Sequence, residues 1–255
     1  MTDYEILKHI DSGAVFYLDF FGHAEHMEIK DSGIFRYIYP KENEQGVKFV
    51  YDVRLDNLSV EEAQASIAEI KALKMPIWWP LCIPNTLYRL IHNKDRKTVP
   101  LTPPDGVELL MAVTSPNQIP NIQPIDGTVI RKSDDEESFA LWARSVKDFF
   151  NDDYQYIHPR YHYPACKSGK IHCYLCYKGD RPAAVCSIMD NDGICSLEFV
   201  ATQTDFRKQG LAKCICAYAM KEAFDNGAKL ITLRAGGATR ELYTSLGFRT
   251  YNHAV

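Results

Sequence analysis

The chain has 255 residues, 46% hydrophobic and 24% charged, which is the balance of a globular protein with apolar material for one large core or two ordinary ones. Its net charge of −4, with no Lys/Arg-rich run, argues against a general nucleic-acid or anionic-membrane partner. No stretch approaches the roughly 18 apolar residues of a membrane span, Met1 to Gly13 lacks a signal-peptide h-region, and eight cysteines without such a signal read as reduced thiols. A cytoplasmic protein is expected.

In chain order, Val47 to Leu55 reads as a strand, and Asn57 onward as a helix reaching about Leu73. Met75-Pro76-Ile77-Trp78-Trp79-Pro80 reads as a second strand and Asn85 to Ile91 as a short helix. A Pro-rich passage from Thr102-Pro103-Pro104 through Pro116, Pro120 and Pro124 then separates two halves. The second half opens with a strand, Gly127 to Arg131. Ser133 is the expected cap of the following helix, with acids in its first turn and Glu136 three residues on. Phe139, Leu141, Trp142, Val146, Phe149 and Phe150 form its apolar face. Asp152 to Pro164 reads as a polar, aromatic loop. Cys173 to Tyr177 and Ala183 to Met189 form a strand pair, and Asp190-Asn191-Asp192-Gly193 turns the chain into the strand Ser196 to Thr202.

The most informative stretch follows that strand. Arg207-Lys208-Gln209-Gly210-Leu211-Ala212 leads into a helix carried by Leu211, Ile215, Tyr218, Ala219 and Glu222 and stopped at Gly227. Unpaired N–H groups of a first helical turn, the helix dipole, a glycine that clears space and flanking cations together suit a phosphate group. Neither G-x-x-x-x-G-K-[ST] nor a strand-borne G-x-G-x-x-G occurs. After it come a strand at Lys229 to Ala235, a Gly236-Gly237 turn and a helix from Ala238 to Leu246. That helix closes on Leu242-Tyr243-Thr244-Ser245-Leu246-Gly247-Phe248, and a last strand runs from Arg249 to Ala254.

The first of these stretches resembles motif A of the GNAT acyltransferases, [RQ]-x-x-G-x-[GA], which holds the pyrophosphate of acetyl-coenzyme A. L-Y-x-x-L-G-F, one helix and one strand later, resembles the closing signature of the same family. The resemblance implies an α/β, layered fold with a mixed, mostly antiparallel central sheet flanked by helices. It implies a GNAT domain over residues 128–255. The strand before motif A splays from its neighbour in this family, so backbone groups of Val200, Ala201 and Thr202 are expected to pair with the pantetheine arm. Arg207, Lys208, Gln209, Gly210, Leu211 and Ala212 would hold the pyrophosphate. Tyr243 matches the tyrosine that protonates the departing thiolate, against a reading as a core tyrosine with a surface hydroxyl. Glu198 stands where several relatives place a general base; a solvent-facing Glu, with the proton leaving through water, is the other reading. His158, His162 and His172, with the tyrosines of the Asp152–Pro164 loop, are further candidates around the acceptor. Gly236 replaces an Asn found in many relatives.

The first half echoes this outline without its chemistry. Leu87-Tyr88-Arg89-Leu90 parallels Leu242-Tyr243-Thr244-Ser245-Leu246, while the turn Asp56-Asn57-Leu58-Ser59 has neither glycine nor cation. Met75-Pro76-Ile77-Trp78-Trp79 resembles the L-P-x-x-W-W strand of tandem GNAT proteins. Residues 1–120 are therefore read as a degenerate GNAT-like half, the alternative being an unrelated α/β domain whose tryptophans are core. Cys166, Cys173 and Cys176 with His172 lack a second CxxC, so no metal is expected.

The family implies an acetyl-CoA-dependent N-acyltransferase moving an acetyl group to a primary amine, on a small molecule or peptide, by direct attack in a ternary complex. No Ser-His-Asp or Cys-His grouping argues for a covalent route. A non-catalytic acyl-CoA sensor on the same fold is the alternative. A transferase for aminoacyl-tRNA or peptidoglycan precursors would need a basic channel, which the net acidity opposes.

Overall fold

The computed structural model describes residues 1–42, 44, 46–94, 108–151 and 157–251. They fall into two compact units, one within Met1–Thr102 and one within Pro103–Tyr251. Among the described residues, no helix is long and apolar enough to cross a membrane.

The N-terminal unit begins with α1 (Asp3–Gly22), where no element was expected. Ile6, Ile10, Ala14, Leu18 and Phe21 recur every three or four residues and are buried, so scattered charges conceal an amphipathic stripe. Thr2 and Glu5 close its start with a reciprocal capping box. Three antiparallel strands follow, β1 (Met27–Asp31), β2 (Arg36–Pro40) and β3 (Phe49–Tyr51), in the order β1-β2-β3. The strand expected over Val47–Leu55 is cut to three residues because Asp52 takes φ 51°, which ends the pleat. Helices α2 (Val60–Ala72) and α3 (Asn85–His92) complete the unit. The strand expected at Met75–Pro80 shrinks to one parallel bridge, Val50 to Ile77, because Pro76 and Pro80 carry no N–H to extend a ladder.

The C-terminal unit is built on a seven-stranded sheet. Its strands are β4 (Glu108–Val113), β5 (Thr128–Lys132), β6 (Ile171–Lys178), β7 (Arg181–Asn191), β8 (Ile194–Thr202), β9 (Leu230–Gly236) and β10 (Arg249–Tyr251), in the order β10-β4-β9-β8-β7-β6-β5. All pairings are antiparallel except β8 with β9. This is the mixed, mostly antiparallel sheet expected.

β4 corrects the domain boundary. Leu109 to Val113 are fully buried and pair with β9 over Glu108↔Gly236 to Val113↔Ile231. The Pro-rich passage thus contains a central strand, and the division lies near residue 102 rather than at 120–128.

Helix α4 (Glu136–Phe149) is capped by Asp135, with Ser138 as reciprocal partner, so Ser133 is not the cap. Ser133 instead continues the sheet, its N–H donating to the Cys173 carbonyl. Trp142 is wholly buried and donates from Nε1 to the Cys186 carbonyl at 3.1 Å, which fixes α4 on β7. Within the expected loop after α4, residues 152–156 lie outside the described residues, and Pro159 to Lys167 form helix α5. Helix α6 (Leu211–Asp225) packs Leu211, Ile215, Cys216, Ala219 and Met220 against the opposite face of the sheet. The helix expected at Ala238–Leu246 is a 3₁₀ turn over Gly237–Thr239 followed by the short α7 (Arg240–Thr244). Of the last expected strand, Arg249 to Tyr251 are β10, and residues 252–255 lie outside the described residues.

Candidate active site

The site forms where β8 and β9 part. Their parallel pairing covers only Ile194↔Leu230, Cys195↔Ile231 and Ser196↔Thr232, yet β8 runs on to Thr202 and β9 to Gly236. A bulge drives the split. Opposite β8, Val185 pairs with Ala201 and Ser187 with Glu198, so Phe199 and Val200 together face the single residue Cys186. Phe199 takes φ 53° and is held there by an edge-on contact with Trp142 at 5.4 Å. A bulged strand bends, and here the bend carries Val200, Ala201 and Thr202 beyond the last β8–β9 pair.

Beyond the fork, the turn into α6 is shaped for an anion. Lys208 takes φ 60° and Gly210, the residue capping α6, takes φ 82°. A side chain at Gly210 would meet only Ile125 Cδ1, at 3.5 Å, so the glycine is required by its backbone angle more than by crowding in this structure. Helices α1, α2 and α4 each begin with a capping box and two acids in the first turn. Helix α6 has no side-chain cap and no acid there. Its first backbone bond runs from Cys214 N–H to Gly210 O, leaving the N–H groups of Leu211, Ala212 and Lys213 with no acceptor one turn back. Arg207, Lys208 and Gln209 are exposed beside them. Arg207 Nε donates to the Thr202 carbonyl at 3.1 Å, and Gln209 is held between Lys178 Nζ and the Asp205 carbonyl. These residues fit a pyrophosphate: donors, cations and a positive dipole end converge, and no carboxylate side chain caps them.

In the N-terminal unit, Ser59 and Glu62 close the start of α2 with a capping box, and Glu61 adds a second acid. That helix start is already satisfied and repels anions.

Glu198 lies two residues past the last β8–β9 pair, and Arg234 stands two residues past it on β9. Arg234 Nη2 meets Glu198 Oε1 at 3.3 Å, with the side chains only 12% and 11% exposed. Burial raises the Glu198 carboxyl above the ordinary range, and Arg234 opposes part of that rise. Arg234 belongs to no motif; its sole signal is a lone cation in an apolar strand.

Tyr243 on α7 is 8% exposed and packs edge-on against Phe248 at 5.9 Å. Burial drives its phenol far upward, helped by Cys216, Glu198 and Cys186, so the hydroxyl keeps its proton across the physiological range. The same influence places Glu198 and Tyr243 within one electrostatic neighbourhood. In the N-terminal unit, Tyr88 is buried against His92 with ring centroids 4.3 Å apart, as a core residue.

The histidines are dispersed. His162 is buried on α5, with Nδ1 accepting from the His158 N–H at 3.0 Å. His172 is half-buried on β6, its pKa lowered by burial and by Lys132. Among the described residues, no group of three or more His, Cys, Asp or Glu could hold a metal ion.

Comparison with known proteins agrees with this geometry. Residues 140–248 match the acetyltransferase (GNAT) family. A GCN5-related N-acetyltransferase from Kribbella flavida superposes with a TM-score of 0.65 at 18% identity, over 95% of this chain and 93% of that one. A second, from Sphaerobacter thermophilus, gives 0.58 at 14% identity over 89% and 80%. A functionally unknown conserved protein from Staphylococcus epidermidis gives 0.54 at 13% identity over 94% of each chain. These likenesses extend through both units and show a shared fold. No curated protein matches the chain in sequence. The bulged fork and the open start of α6 both lie within residues 140–248, the stretch that matches the acetyltransferase (GNAT) family.

Proposed function

We propose that the protein is an acetyl-CoA-dependent N-acetyltransferase that acetylates a primary amine by direct attack in a ternary complex. The observation carrying this reading is the continuity of the β8–β9 fork with the uncapped, cation-flanked start of α6. Backbone groups of Val200, Ala201 and Thr202 bind the pantetheine arm, and Arg207 to Ala212 bind the pyrophosphate. When bound, the coenzyme supplies an activated acetyl thioester. A backbone N–H at the fork polarises the carbonyl, as an oxyanion donor does. Glu198, whose carboxyl burial raises above the ordinary range, takes a proton from the incoming ammonium or amine, directly or through water. Tyr243, protonated throughout the working range, delivers a proton to the departing sulfur.

Two measurements test this. Calorimetry with acetyl-CoA is expected to give one site on the wild type and none on Gly210→Asp, with a thermal melt to verify folding of the variant. A screen of amines for release of the free thiol then reads turnover. Tyr243→Phe is expected to keep coenzyme affinity and lose about 10²- to 10⁴-fold in kcat. Coenzyme binding without turnover on any amine would instead identify an acyl-CoA sensor. No binding at all would reject the coenzyme site.

A further inference from the structure

Two cysteines outside the fork bracket a single residue. Cys166, in the last turn of α5, donates from Sγ to the Ser133 carbonyl at 3.3 Å, and Ser133 donates its N–H to the Cys173 carbonyl at 2.9 Å. Gly169, at φ 77°, turns the chain between them and brings the end of α5 back onto the start of β6. Each thiol acts on the proton affinity of the other, as neighbours on either side of Ser133 do. Ser133 itself is 1% exposed, and its Oγ has no hydrogen-bond partner among the described residues. The pair is asymmetric: Cys166 is half-buried and reachable, whereas Cys173 is wholly buried. Cys176, three residues further on, belongs to the core on the α6 face and is no part of the pair.

We propose that Cys166 and Cys173 form a redox-sensitive thiol pair, with Cys166 the site oxidised by a hydroperoxide and Cys173 the resolving thiol. The Cys166 thiolate attacks one peroxide oxygen; an S–O bond forms, the O–O bond breaks, and the leaving hydroxide takes a proton to become water. Cys173 sulfur then attacks the sulfenic sulfur of Cys166. The S–S bond forms, the S–O bond breaks, and the hydroxyl leaves as a second water with the Cys173 proton. Two thiols supply two electrons, and one hydrogen peroxide is reduced to two waters. Cys173 holds the Cys166 thiol below the ordinary cysteine range, which favours the attacking thiolate. Burial holds Cys173 well above that range, keeping it a proton donor until it resolves the sulfenic acid. The resulting disulfide pins the last turn of α5 to the first residues of β6.

The test treats the full chain with limiting hydrogen peroxide, alkylates the remaining thiols and maps the peptides by mass spectrometry. Two of the eight thiols are expected to disappear together into one Cys166–Cys173 linked peptide, restored by dithiothreitol. Cys82, equally half-buried and likewise donating to a carbonyl, that of Tyr4, is the internal comparison and is expected to oxidise roughly ten-fold more slowly. Cys166→Ser is expected to abolish the linked peptide. Cys173→Ala is expected to leave a dimedone-reactive sulfenic acid at Cys166; should that variant not fold, the wild type and Cys166→Ser suffice. Oxidation of Cys166 no faster than Cys82, or oxidised Cys166 with Cys173 still alkylatable in the wild type, would overturn the proposal.

Discussion

Glu198 and Arg234 face each other from two strands that have just stopped sharing backbone hydrogen bonds. Their ion pair spans the mouth of the fork where the ladder would otherwise continue, so it sets both the spacing of the strands and the proton affinity of Glu198. Burial and Arg234 act in opposite senses on that carboxyl, with burial the larger. Removing the guanidinium leaves burial unopposed, and an opposite charge at this range shifts a carboxylate by about 1–3 pH units. Arg234→Met is therefore expected to move the acidic limb of the kcat/KM–pH profile upward, and Arg234→Lys to restore most of it. The sign follows from the base needing to be ionised: a higher Glu198 pKa demands a higher pH. A uniform loss of rate with no displacement of the limb would mean that Arg234 is structural only. Tyr243, driven far above neutrality by burial, contributes to neither limb near neutral pH, so Tyr243→Phe is expected to leave the acidic limb in place.

At the scale of elements, two left-handed glycines mark the edges of the site, and both are legible as sequence motifs because backbone geometry demands them. Gly210 reverses the chain into α6. Gly247, at φ 95°, ends α7 and turns it into β10, where a Cβ would collide with the Gln118 carbonyl. Gly247→Ala is expected to destabilise the protein by at least about 1–2 kcal/mol from the backbone angle alone, with the collision adding to that, read as a lower urea midpoint at unchanged m-value. A midpoint equal to wild type would mean that the α7–β10 turn relaxes freely. What the sequence conceals at this scale has equally specific causes. In α1, Lys8, Asp11 and Asp19 break the apolar series while Val15, Phe16 and Tyr17 run on without a polar gap, so the period of three to four emerges only once burial is known. Leu109 to Val113 form a central strand with five buried residues in a row, but the flanking prolines give the passage the look of a linker. The bulge at Phe199 has no signal either, since a phenylalanine at φ 53° is held by Trp142 from another element rather than by its own preference.

For the whole molecule, a net charge of −4 conceals a local reversal at the start of α6, where Arg207, Lys208 and Lys213 gather on an uncapped helix end. The start of α6 is thus a basic anion site on an acidic protein. The arrangement belongs to the C-terminal unit; in the N-terminal unit the start of α2 is closed by Ser59 and Glu62. Coenzyme binding is consequently expected to stabilise the two units unequally. A ligand at about 100 times its Kd stabilises the state that binds it by about 2.7 kcal/mol. Amides whose exchange requires opening of the fork should slow accordingly, by about 100-fold where they exchange only through the unbound form. Hydrogen exchange with acetyl-CoA at that excess is expected to protect Val200 to Thr202 and Leu211 to Lys213. The amides of α1, β1 and β2 should exchange at their unliganded rates. Protection spread equally over both units would contradict a site built from the β8–β9 fork and α6, whereas protection at α6 without Val200 to Thr202 would separate phosphate binding from the pantetheine contacts and leave the fork without its assigned role.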